Sequence, residues 1–138
     1  MENRYLFRAK RIDTGEWVEG FPFLVNDVSY ILPHHNTGQP IHIDNLLSTS
    51  VEVLEDTICQ CTGLKDKNGK LIWENDILSG HIDDEFPEDE TRKRVVWHEN
   101  GWCTNELGCD YYEGLDDFDS ENFEVIGNMI DSPELLEV

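Results

Sequence analysis

Apolar residues recur along the chain in short runs broken by turn residues, without the three- to four-residue spacing of amphipathic helices. The pattern predicts a mainly β protein built from antiparallel hairpins. Tyr5–Ala9 and Trp17–Phe21 flank Asp13-Thr14-Gly15, a turn in which glycine supplies the positive φ. Val28–Leu32 is the next strand, stopped by Pro33. Residues 34–40 hold turn chemistry, Ile41-His42-Ile43 alternates, and a polar stretch runs to Ser50, so this middle is the expected flexible region. Thr57–Cys61 and Leu71–Trp73 flank Asn68-Gly69, which predicts a type I′ turn with positive φ at both central residues. Asn75 suits a left-handed position before a strand that begins at Asp76. Val95–Trp97 and Gly101–Thr104 flank a turn at Asn100-Gly101, and Phe123–Ile130 closes the β run. Ser132-Pro133 opens a short C-terminal helical turn through Leu136, with proline at its first position.

The 138 residues suffice for one core and are too few for two ordinary domains, so the expected architecture is a single compact domain, 1–138, partly barrel-like. Apolar residues at both ends of the chain call for a common core. The longest uninterrupted apolar stretch, Phe21–Val25, is far below the roughly 20 residues that cross a bilayer. Without a signal-peptide pattern at the N-terminus, the four cysteines are expected as reduced thiols in a cytoplasmic protein.

Charge changes the picture most. Thirty acids stand against ten Lys plus Arg, a formal charge of −20, which opposes binding to phosphate backbones and anionic lipid. Direct nucleic-acid binding and membrane association are therefore not expected. After Arg94 the chain contains no Lys or Arg but 12 acids, so its C-terminal third is an acidic pole. Six acids fall within 83–90, and eight, without a base, within 106–124.

Three segments together resemble the YopX family of small phage and prophage proteins. Phe7-Arg-Ala-Lys10 with Asp13–Gly20 resembles its opening hairpin, Gln60–Ile77 its distinctive central segment, and Phe123–Asn128 with Pro133–Leu136 its ending. The resemblance spans nearly the whole chain in order. Cys61 stands where the family pattern has an aromatic residue and Asn75 where it has glycine. The resemblance implies a mainly β fold encoded in phage or prophage DNA, and no particular activity.

Catalytic patterns are weak. Cys59-x-Cys61 has no second ligand pair of zinc spacing, and His34, His35, His42, His81 and His98 are scattered. A calcium loop begun at Asp117 fails, with Asn122 at its glycine position and Asn128 at its final glutamate. Neither a nucleophile elbow nor a Gly-x-Gly phosphate loop is present. Acid pairs such as Asp116 with Asp119 suit glycoside chemistry, but 30 acids produce such pairs by chance. No catalytic residue, cofactor or metal is assigned, and a small hydrolase or metal-dependent enzyme ranks last. Lys65, Lys67 and Lys70 decorate the Asn68-Gly69 turn as solubilising charges, and Arg92-Lys93-Arg94 faces the 83–90 acids as a candidate clasp.

The candidate interaction surface is Asp110, Glu113, Asp116, Asp117, Asp119 and Glu121 with Tyr111 and Tyr112. Interleaved aromatics imply a stretch that packs on the body and suits a protein interface. The expectation is a phage-derived accessory protein that binds another protein or forms a homo-oligomer. Its alternative is an acidic DNA mimic that captures a basic host protein.

Overall fold

Strand-forming runs and turn residues divide the chain much as their pattern implies. The computed structural model describes residues 5–33, 46–82 and 90–137, with Leu46 described by its backbone alone. The expectations for residues 34–45 and for the acids at 83–89 lie outside the described residues. Short helical elements accompany antiparallel strands, and the chain divides into two compact units, Met1–Cys61 and Thr62–Val138.

In the first unit, β1 (Phe7–Lys10), β2 (Trp17–Val25), β3 (Val28–Pro33), β4 (Val51–Glu52) and the start of β5 (Cys59–Lys65) lie in the order β4-β3-β2-β1-β5. Gly15 has φ 74° in the β1–β2 loop, where Arg11 donates two 2.9 Å hydrogen bonds to the Asp13 carboxylate. Between β2 and β3, Asn26 and Asp27 adopt φ 50° and 66°, the type I′ signature, closing a hairpin in which Phe21 faces Leu32 and Val25 faces Val28. Gly20 in β2 leaves no room for a side chain, since a Cβ there would stand 2.0 Å from the Leu32 carbonyl oxygen of β3. Ala9, Ile31 and Val53, flanked by Val18 and Ile58, form this unit's core, with a helical turn, α1 (Leu46–Thr49), and a 3₁₀ turn at Glu55–Thr57 alongside the strands.

The second unit holds the end of β5 and β6 (Leu71–Trp73), which neighbours β5 in strand order. Its main sheet comprises β7 (Asp76–Gly80), β8 (Thr91–His98), β9 (Gly101–Asn105), β10 (Glu113–Gly114) and β11 (Phe123–Asn128), in the order β10-β9-β8-β7-β11. Ile72, Leu78, Val95 and Phe123 form its core, joined by Leu64, Trp102, Leu115 and Val125. A second helix, α2 (Asp117–Asn122), and a 3₁₀ turn at Pro133–Glu137 complete it.

Three expectations change, the simplest being the turn placed at Asn100-Gly101, which falls at Glu99-Asn100 because Gly101 is already paired in β9 opposite His98. The sheets are not closed into a barrel. Closure requires the terminal strands to pair. β10 is only two residues long, while the outer side of β11 receives a hairpin tip, with the Lys67 N–H donating to the Phe123 carbonyl (3.0 Å) and the Val125 N–H to Asp66 (2.9 Å). The turn at Asn68-Gly69 is also not type I′, since only Gly69 has positive φ (83°). Asp66 is the reason: its Oδ1 accepts from the Asn68 and Lys70 N–H groups, both at 2.9 Å, and its carbonyl accepts from Gly69. An Asx turn takes over the backbone bonding that the two-residue loop would have made. Asn75 is left-handed as expected, with φ 71°.

Candidate functional site

The acidic stretch after β9 is held along the sheet by backbone-directed bonds. Asn105, buried at the end of β9, donates from Nδ2 to the carbonyls of Cys109 (3.0 Å) and Tyr111 (2.9 Å), pinning the intervening loop. β10 then pairs with β9, Glu113 opposite Thr104, and the Leu115 N–H donates to Trp102 at 2.9 Å. The Tyr112 ring stacks on His98, centroids 3.8 Å apart and planes 13° apart.

Asp116 then starts α2. Its carboxylate accepts from the Phe118 N–H (3.1 Å), while the Asp119 carboxylate reaches back to the Asp116 N–H (3.2 Å), the reciprocal pattern of a capping box. Sequence reading missed this helix, although two aspartates three apart, Asp116 and Asp119, carry the capping signal.

Asp119 is not a surface residue: it is 3% exposed and pairs with Lys93, also buried. Strand alternation puts Lys93 on the same face of β8 as Val95, and its ammonium lies 4.2 Å from the Phe123 ring centroid. An unpaired buried ammonium is costly, so an inward carboxylate is required. The clasp imagined for Arg92-Lys93-Arg94 is therefore divided. Arg92 pairs with Glu90, holding that carboxyl below its usual range, and also donates to the Leu135 carbonyl at 2.8 Å, whereas Lys93 turns inward.

The remaining predicted residues stay outside. Asp110, Glu113, Asp116, Asp117 and Glu121 are exposed, though the Asp116 carboxylate is engaged as a cap. Tyr111 is 63% exposed, Tyr112 36% and Phe118 45%. Beneath this edge lies a cavity of about 100 Å³, its walls including buried Lys93, Thr104 and Asn105 and, nearer solvent, Glu106, Tyr111 and Glu113. Asn105 is the contributor that sequence reading passed over, whereas Lys93 was read as part of a basic cluster facing the 83–90 acids and not as a cavity wall. In the first unit a separate hollow of about 270 Å³ is lined by Pro22, Phe23, Leu24, Ser29, Glu55 and Ile58.

Among the described residues, no three His, Cys, Asp or Glu side chains gather as a metal site. Cys59 and Cys61 are buried in β5. Among those residues too, no helix is long and apolar enough to cross a membrane.

The fold and this edge define a mainly β, two-sheet protein that presents acids and aromatic rings beside β9 and α2. The YopX protein family matches residues 6–137, and the chain belongs to that family. It is also similar to the crystal structure of protein EF1440 from Enterococcus faecalis, with 27% identity and a TM-score of 0.54 over 94% of this chain and 96% of that one. A search of curated proteins finds no match.

Proposed function

We propose that this YopX protein is a phage- or prophage-encoded accessory protein, non-enzymatic and working in the bacterial cytoplasm, that binds a partner protein through its acidic edge. The observation that carries the reading is the exposure of Tyr111, Tyr112 and Phe118 among the unpaired-sign acids Asp110, Glu113, Asp117 and Glu121. Aromatic side chains supply interface area, and a one-signed rim steers a basic surface toward it. A DNA mimic is the narrower form of this reading, in which the carboxylates stand in for phosphates.

The test is a capture comparison from host lysate between the wild type and the variant D110N/E113Q/D117N/E121Q. Asp116 and Asp119 are left intact because they cap α2 and pair with Lys93. Capture of a basic protein that weakens with salt and disappears in the variant supports the reading. Retained, salt-insensitive capture by the neutralised protein removes it. Self-association is a second reading, favoured by the apolar hollow beside Leu24, which is 65% exposed. Concentration-dependent sedimentation that Leu24→Ser abolishes would support it.

A further inference from the structure

We infer that the cavity under the acidic edge receives an arginine side chain presented by the basic partner. This inference rests on the partner reading above and names the chemistry by which the partner is anchored. The cavity, of about 100 Å³, is open to solvent along the edge and has room for the planar head of a side chain.

Its charge selects the sign of the occupant. Lys93 is the one cation among the described lining residues, and its ammonium is already engaged by Asp119 and lies over the Phe123 ring. Glu106 and Glu113 contribute two carboxylates that no described Lys or Arg pairs with, so an anion entering here meets repulsion and a cation meets attraction. Thr104 adds an oxygen acceptor, and the exposed Tyr111 places an aromatic residue in the lining. Planar donors that bond carboxylates in pairs while stacking on a ring are the properties of guanidinium and not of ammonium. The cavity wall is also rigid, because Asn105 fastens the Cys109 and Tyr111 carbonyls to β9. A preformed pocket avoids the ordering cost that a flexible acidic loop would incur on binding.

The experiment titrates N-acetyl-arginine amide and its neutral isostere N-acetyl-citrulline amide into the ¹⁵N-labelled full chain. Backbone shifts are followed to about 50 mM, since a fragment of this size binds weakly. Saturable shifts confined to residues 91–93 and 104–113 with the arginine probe alone are expected, and Glu106→Gln should weaken them by about fivefold while leaving the rest of the spectrum unchanged. Equal shifts with citrulline, equal shifts with N-acetyl-lysine amide, or none at all would overturn the inference. Should Glu106→Gln perturb the fold, the citrulline comparison on the wild type still decides. Capture that depends on the exposed acids, without any arginine-specific shift, refutes this pocket and leaves the partner reading standing. Loss of both refutes both.

Discussion

At the scale of single residues, the backbone imposes costs that side-chain chemistry only partly offsets. Glu99 occupies φ 56° in the two-residue loop joining His98 to Gly101, a conformation that disfavours a side chain of this shape. Glu99→Asn is expected to raise unfolding free energy by about 0.5–1 kcal/mol, read as a shift in urea midpoint at constant slope. Asp66 carries a different load. Burial raises its pKa, but donation from the Val125, Lys70 and Asn68 N–H groups outweighs that and leaves the carboxyl below its usual 3.8. A depressed folded pKa means that the carboxylate stabilises the fold above the unfolded value, and that this contribution is lost as pH falls below 3.8 toward the folded value. Asp66→Asn should therefore cost about 1–3 kcal/mol at neutral pH and flatten the acid limb of the stability curve. An acid limb identical to the wild type's would show that other carboxyls govern it.

At the scale of elements, the join between β8 and α2 is the feature with the largest expected effect. Asp119 both caps α2 and compensates Lys93 in the second unit's interior. Asp119→Ala leaves a buried ammonium unpaired and is expected to destabilise the protein by about 3–5 kcal/mol. Replacing both members, as Lys93→Met with Asp119→Leu, should recover most of that loss, because the desolvation cost disappears along with the attraction. Chemical denaturation of the two single variants and the double variant measures the coupling. Additive losses would mean that the pair acts as two independent groups. β8 could be read from its apolar residues, but the inward turn of its central lysine depended on a partner 26 residues away.

For the whole molecule, the governing quantity is the formal charge of −20. Like charges on a compact body repel, and salt screens them over roughly 10 Å at 0.1 M. Melting temperature should therefore rise when NaCl is added to a low-salt buffer, and D110N/E113Q/D117N/E121Q should show a smaller rise. The same field keeps phosphates away, so polarisation assays with duplex DNA or RNA at physiological salt are expected to show no binding. Tight binding would mean that the local clusters Lys65, Lys67 and Lys70 or Arg92 and Arg94 override the net charge.

The sequence by itself determined the mainly β character, the strands around Gly15 and Asn75, the terminal helical turn, the acidic pole and, through three ordered segments, the family. Each rests on local chemistry: turn residues, alternation and charge act within a few positions of one another. What tertiary structure decided is where side chains meet partners far along the chain. Asp66 replaced the expected type I′ turn with its own bonds and reached β11, closing the edge that a barrel would have needed. Asp119 left the surface because a buried lysine demanded an opposite charge, and Asn105 turned an acidic loop into the rim of a cavity. A one-dimensional pattern records residue type and spacing, but the cost of burying a charge or an unbonded amide arises only when the chain closes around it.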